Sequence, residues 1–223
     1  MNKYLTTSLI AFILVLTFCS CEEEDHCLIG SGTADSYPLQ LSAFSSIRLL
    51  GPVNLEITQG TSQSVVIDAE PEMWEAMTNR VTNGEFVVGF EDNVTCFDTD
   101  LGVWVRATVS DISRIRQAGI SEIRSNGDLE LGRLILELDG ESVVVLSGSI
   151  DNQVISVAGI TDFNNFDAES LNTVISLAGE GDFEISCSDE LDLSIAGVAT
   201  VKYKGNPQIN QNVAGTLNLV DAN

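Results

Sequence analysis

Gly119, Gly140, Gly159, Gly179 and Gly197 follow one another at intervals of 21, 19, 20 and 18 residues, and apolar residues keep fixed places around them. Four positions before each glycine stand Ile115, Leu136, Ile155, Ile175 and Leu193; four after it stand Ile123, Val144, Phe163, Phe183 and Val201. Two before it come Leu138, Val157, Leu177 and Ile195, with Gln117 as the one polar member. Between the two upstream apolar columns runs a polar one: Arg116, Glu137, Ser156, Ser176 and Ser194. Apolar and polar residues that alternate in this way belong to strands. Self-similarity at this period points to a solenoid, whose coils bury their apolar faces only against neighbouring coils. The pattern constrains shape and names no chemistry.

Equivalent positions in successive coils are expected to stack at the inter-strand spacing of about 4.8 Å, so five coils rise about 24 Å. Ala118, Ala158, Ala178 and Ala196 precede four of the glycines. Small residues there suit a tight corner. A weaker copy follows at Gly215, with Ala214, Val213 and Leu219 in place and Gln211 where an aliphatic residue would stand. A polar last repeat suits the end of a stack that must not continue onto another molecule.

Upstream, residues 37–110 read as strands with less regular turns. Phe44 to Leu50, Val53 to Gln59 and Ser64 to Asp68 alternate, punctuated by Gly51-Pro52 and Gly60. Pro71 to about Arg80 reads as the one helix: Pro71 fits the first helical position and Met73, Trp74 and Met77 form an apolar stripe. Asn83-Gly84 is expected to turn the chain from that helix into a strand over Glu85 to Phe90, with another strand over Val103 to Val109.

The N-terminus carries an address. Lys3 precedes an apolar run from Leu9 to Phe18 broken only by Thr17. Such a run is too short to span a bilayer, which needs about 20 residues, and reads as the core of a signal peptide. Phe18-Cys19-Ser20-Cys21 directly after it is similar to a bacterial lipobox. The resemblance implies cleavage after Ser20 and a diacylglycerol on Cys21, an anchor into which each buried CH₂ puts about 0.8 kcal/mol. An ordinary signal peptide with a free Cys21 is the alternative. The block Glu22-Glu23-Glu24-Asp25 reads as a solvated tether. It also resembles the acidic export tag of Bacteroidetes surface lipoproteins, which favours the outer leaflet of the outer membrane over its periplasmic face.

With 33 acidic against 10 basic residues the formal charge is −23, a field that repels nucleic acid and anionic lipid surfaces. Apolar content of 44% with only 6% aromatics suits an aliphatic core. Cys19 leaves with the signal peptide and Cys21 is the lipid site, so Cys27, Cys96 and Cys187 remain. Cys187 alternates with Phe183 and Ile185 and is expected inside; parity then leaves Cys27 and Cys96 as a possible disulfide. The lone histidine, His26, and the absence of a Cys/His pair at ligand spacing give zinc and haem no support.

Phe44-Ser-Ser-Ile47 followed by Gly51-Pro52-Val53-Asn-Leu55-Glu-Ile57-Thr-Gln-Gly60 resembles the entry motif of the auto-transporter adhesin, head GIN domain proteins of Bacteroidetes. Leu146-Ser147-Gly148-Ser149 and Ala178-Gly179-Glu180-Gly181 are similar to that family's glycine-serine turns, and Tyr203-Lys204-Gly205-Asn206-Pro207 to its closing Tyr-x-Gly-x-Pro. The resemblance covers about residues 40 to 220. It implies a right-handed, single-stranded parallel β-helix, an adhesive surface role, and no catalytic residues. The expected organisation is a signal peptide over 1–20, an acidic tether over 21–36, an irregular β segment with one short helix over 37–110, and β-helix repeats with a degenerate cap over 111–223.

Candidate sites are few. The column Ser156, Ser176 and Ser194 is either a hydroxyl ladder for a glycan or protein ligand, or a solvated face of small residues. Glu91, Asp92, Asp98 and Asp100 invite a calcium reading but lack the ligand spacing of calcium loops. Asp162, Asp182 and Glu184 invite a glycosidase reading, yet their places after the repeat glycines put them in solvent. Polyuronate lyases share the β-helix, but Arg106, Arg114, Arg116, Arg124 and Arg133 are scattered in the sequence, and Trp74 and Trp104 are too few for a sugar platform. The expectation is a non-enzymatic, lipid-anchored binding module without cofactor or metal. The alternatives are a carbohydrate-active enzyme on the same architecture and a periplasmic structural lipoprotein.

Overall fold

The computed structural model describes residues 27–90, 94 and 96–223. The signal peptide, Cys21, the run Glu22 to Asp25, His26, Glu91 and Asp92 lie outside the described residues. In chain order come β1 (Cys27–Ile29), β2 (Asp35–Leu39), β3 (Ser46–Leu50), β4 (Val53–Gln59), β5 (Ser64–Ala69), α1 (Pro71–Ala76), β6 (Thr78–Thr82), β7 (Glu85–Gly89), β8 (Cys96–Asp98) and β9 (Val103–Val109). They are followed by β10 (Arg114–Ser125), β11 (Leu129–Val145), β12 (Gly148–Ile195), β13 (Val198–Lys204), β14 (Gln208–Val213) and β15 (Thr216–Asp221). Strands take 74% of the described residues, so the fold is all-β with one short helix.

The ladders of the C-terminal half are parallel, and each is offset by one repeat. Ile115 lies beside Leu136 and Leu136 beside Ile155; Gly119 lies beside Gly140 and Gly140 beside Gly159. Strand β12 runs for 48 residues. Laid straight it would reach about 160 Å at 3.3 Å per residue, so it must fold back on itself. Contacts within it and just past its end mark the return: Asn172 Nδ2 donates to Asn152 Oδ1 at 3.0 Å, and the N–H of Ala196, the residue after β12, donates to the Leu177 carbonyl at 2.8 Å. The three apolar columns are buried throughout, from Ile115, Leu136, Ile155, Ile175 and Leu193 to Ile123, Val144, Phe163, Phe183 and Val201. Phe163 and Phe183 face each other with ring centroids 6.0 Å apart. Each such aliphatic or aromatic side chain contributes about 1.5–3 kcal/mol by leaving water.

Gln117, the polar member of an apolar column, is buried too; its Nε2 donates to the carbonyls of Gly119 at 2.5 Å and Glu141 at 3.3 Å. Ser121, Ser142 and Thr161, two residues after the first three glycines, are buried polar residues as well. Ser142 Oγ donates to Thr161 Oγ1 across one coil step at 2.9 Å. Cys187 is buried with a free thiol that donates to the carbonyls of Leu171 and Glu190.

The glycine column extends in both directions. A Cβ at Gly119 would collide with the backbone of Gly51, and one at Gly215 with the backbone of Gly197. Thus β3 and β4, joined at Gly51-Pro52, form the coil next to β10. On their other side lie β7 and β9, parallel to β3 and β4 respectively. The chain leaves this stack after β4, forms the end piece, and returns through β7 and β9 before crossing to β10. The end piece is antiparallel: β5 pairs with β9, β2 with β5, and β6 with β7.

The helix is shorter than the stripe of Met73, Trp74 and Met77 suggests. It stops at Ala76, and Thr78–Thr82 is a strand, so Asn83-Gly84 turns one strand into another rather than a helix into a strand. Two causes combine. Thr78, Val81 and Thr82 are β-branched and favour strands, and both Asn83 (φ 53°) and Gly84 (φ 77°) adopt the left-handed backbone that a tight hairpin demands. Trp74 stacks on Tyr37 at 4.3 Å with the rings nearly parallel.

The stretch expected as tether is also partly built into the fold. Cys27–Ile29 pairs with Cys96–Asp98 in a small parallel ladder, and Asp35–Leu39 pairs with β5. Leu28, Tyr37 and Leu39 pack against the core, which gives this polar segment a reason to dock. Cys27 and Cys96 stand opposite each other with Cα atoms 4.4 Å apart and are joined as a disulfide.

Candidate functional site: a groove across the coils

Side chains alternate along each strand, so the residues between the buried positions point outward and align from coil to coil. In the column three before the glycines this places Arg48, Arg116, Glu137, Ser156, Ser176 and Ser194 in one line. The register fixes its first four members: Arg48 beside Arg116, Arg116 beside Glu137, Glu137 beside Ser156. Beside that line runs the column of Ala118, Asp139, Ala158, Ala178 and Ala196. Together the two columns floor an open groove of about 600 Å³ that crosses the strands. Alanines leave the floor low enough for the groove to exist; longer side chains would fill it.

One end of the groove is charged. Arg116 Nε lies 2.7 Å from Glu137 Oε2, its Nη1 lies 3.2 Å from Glu85 Oε1, and Arg114 Nη1 lies 3.5 Å from Glu137 Oε1. These groups are part-exposed, so each pair contributes only about 0.2–1 kcal/mol. A neighbouring depression of about 550 Å³ shares Arg48 and Arg116 with the groove and adds Arg80, Arg114 and Glu85. Arg48 itself is exposed and has no ion pair among the described residues.

The serines are thus gathered on one surface, and Arg114 and Arg116, read from sequence as scattered, join them. Arg106 and Arg124 go elsewhere. Both meet Glu56; Arg106 also pairs with Asp68, while the Arg124 guanidinium lies 4.0 Å from the ring centroid of Trp104. That pairing accounts for Trp104, as the Tyr37 stack does for Trp74. Neither tryptophan lines the groove. Asp162 and Asp182 are exposed, and Glu184 holds Lys202 at 3.0 Å. Asp98 and Asp100 are exposed, and no group of three metal-ligating side chains occurs among the described residues.

Arg48 escaped sequence reading although a signal was present. Gly51 with Ile47, Leu49 and Leu55 obeys the repeat template, and the residue three before Gly51 is Arg48.

With the parallel coils, the glycine column and the groove in view, comparison with known proteins becomes informative. The profile of the family described as "putative auto-transporter adhesin, head GIN domain" matches residues 43–207. The chain belongs to this family. Among solved structures, a crystal structure described as a putative adhesin from Bacteroides fragilis superposes on the head GIN chain with a TM-score of 0.66 at 16% identity, covering 86% of this chain and 99% of that one. A second, described as a putative adhesin from Parabacteroides merdae, reaches a TM-score of 0.50 at 17% identity, covering 87% of this chain and 99% of that one. At these identities the likeness concerns the fold. No curated protein matches the chain. Among the described residues no helix is long and apolar enough to cross a membrane.

Proposed function

We propose that this head GIN protein is a lipid-anchored, non-enzymatic binding module of the cell envelope. Its scaffold is a right-handed, single-stranded parallel β-helix, and its ligand face is the groove floored by Ser156, Ser176 and Ser194. The observation that carries the reading is the register. Three repeats present a hydroxyl at one height and an alanine beside it, giving a continuous polar strip whose carboxylates, Glu137 and Asp139, stand toward the arginine end. Coil-to-coil offsets of one repeat in every parallel ladder from β10 onward support the helical winding, and parallel connections are right-handed in nearly all known cases. Family membership supports adhesion and a surface address. The lipobox-like Phe18 to Cys21 supports attachment through Cys21 to the outer membrane, facing outward.

Protease shaving of intact cells tests the address. Loss of the protein from intact cells on shaving, and its release into the soluble fraction on Cys21→Ser, are the expected results. Survival on intact cells with cleavage only after lysis would leave the periplasmic structural lipoprotein. Binding of the full chain to an array of glycans and matrix proteins tests the groove, with Ser176→Trp, which fills it, as the variant that should lose the signal.

A further inference from the structure

We propose that the charged end of the groove, at Arg48 and Arg116, binds the carboxylate of an acidic sugar that ends an otherwise neutral glycan. The neutral sugars then lie along Ser156, Ser176 and Ser194. This rests on the binding-module reading and names its ligand class.

The first argument is the distribution of charge. The chain has 10 basic residues against 33 acidic ones, yet Arg48, Arg80, Arg114 and Arg116 line a single depression. Among the described residues Glu137 pairs with Arg114 and Arg116 and Glu85 with Arg116, while Arg48 has no carboxylate partner. The second argument is the pairing. Arg48 and Arg116 occupy directly opposed positions on adjacent parallel strands, an arrangement in which like charges destabilise a sheet. Glu85 and Glu137 answer Arg116. Among the described residues no carboxylate answers Arg48, whose other in-register neighbour is Val87. A planar guanidinium left open beside a second one is suited to a carboxylate, which it meets with two parallel hydrogen bonds.

The rest of the groove selects the remainder of the ligand. Glu137 and Asp139 come next along it, and the net charge is −23, so a polyanion is repelled everywhere except at the arginine end. An extended peptide has little to gain. The groove crosses strands whose backbone groups are already used by the ladder, so it offers no free edge for strand addition. Hydroxyl-bearing sugars can use the serine column directly.

The test titrates the full chain with sialyllactose, a glucuronate-terminated disaccharide and neutral lactose, following binding calorimetrically. One charge-assisted contact corresponds to about tenfold in affinity or more. The expected result is preference of at least that size for an acidic-ended probe over lactose. It should disappear in Arg48→Gln, weaken in Arg48→Lys, and persist in Arg133→Gln, an exposed arginine outside the groove. Arg48 is exposed, so an unchanged thermal midpoint in Arg48→Gln separates lost binding from lost folding. Equal binding of all three sugars overturns the acidic site and leaves the binding-module reading standing. Binding of a poly-glutamate peptide with none of the sugars overturns the saccharide assignment. A preference that survives Arg48→Gln places the site elsewhere and overturns it as well.

Discussion

Gly197 lies so directly on Gly179 that a methyl group added to it would fall within 3.0 Å of the Gly179 carbonyl oxygen, and the same holds from Gly119 to Gly215 along the column. Inter-strand spacing is fixed by the backbone hydrogen bonds, so a side chain there must separate two coils. Gly197→Ala is therefore expected to cost more than about 4 kcal/mol, at the exceptional end for single substitutions, or to prevent folding. Gly132→Ala is the control: nothing stands within 4 Å of its added Cβ and its backbone is ordinary. It should be neutral or gain about 0.4–1 kcal/mol. Paired thermal melts of the two variants decide the matter; equal effects would mean the column is not a close approach.

The buried hydroxyl pair of Ser142 and Thr161 sits on the inner side of the same corner. Thr161→Val keeps shape and removes the acceptor of the Ser142 hydroxyl, leaving a buried donor unsatisfied at about 1–3 kcal/mol. Ser142→Ala in the Thr161→Val background removes that donor and should recover part of the loss. A double-mutant cycle by urea unfolding measures the coupling. An additive double mutant would show that the two hydroxyls act independently.

How much of this was legible depends on sequence distance. The columns from Ile115 to Leu193 and from Ile123 to Val201 were readable because neighbours in space are about 20 residues apart and the period is visible. Gly51 obeys the same template with Ile47, Leu49 and Leu55, but the chain departs after β4 to build the antiparallel end, returns through β7 and β9 on the far side of β3 and β4, and reaches their other side only at β10. That excursion breaks the period, so Gly51-Pro52 looked like ordinary punctuation and Arg48 was not placed beside Arg116, 68 residues on. The helix end was missed for a local reason. Met73, Trp74 and Met77 match helical spacing, yet the β-branched run that follows and the hairpin at Asn83-Gly84 take residues 78–82 into the sheet. The serine strip was visible as a column; that alanines beside it would leave a groove required the packed coils.

The N-terminal arm is held by the Cys27–Cys96 pair and by Glu70, whose buried carboxylate accepts from Gly32 N–H at 2.5 Å and from the Thr99 hydroxyl. The two cysteines are 69 residues apart, and closing a loop of that length stabilises by about 4 kcal/mol in the chain-entropy view. Cys27→Ser should lower the thermal midpoint, and Glu70→Ala should add to the loss by stranding two donors. Alkylation of the denatured, unreduced protein checks the pairing. Cys187 alone among Cys27, Cys96 and Cys187 should be modified; labelling of all three would remove the disulfide from the account.

At the opposite end, Asp221 Oδ1 accepts from Asn223 N–H at 3.0 Å and from Asn223 Nδ2 at 2.6 Å, while Asn223 Nδ2 also donates to the Gly205 carbonyl. The backbone hydrogen bond first, and the side-chain one second, favour the ionised carboxylate and hold its pKa below the usual aspartate value. The sign of the consequence follows from linkage. A depressed folded-state pKa means that the contribution of this turn is complete above the unfolded value of about 3.9 and fades as the pH falls through the lower folded one. The C-terminal turn should therefore keep its native signals at neutral pH and loosen only in acid. In Asn223→Ala the Asp221 carboxyl should titrate closer to its ordinary value. Carboxyl chemical shifts followed through an acid titration measure both; the backbone N–H of residue 223 persists in Asn223→Ala, so an Asp221 midpoint that does not move would remove the Asn223 side-chain hydrogen bond as a cause and leave the backbone one.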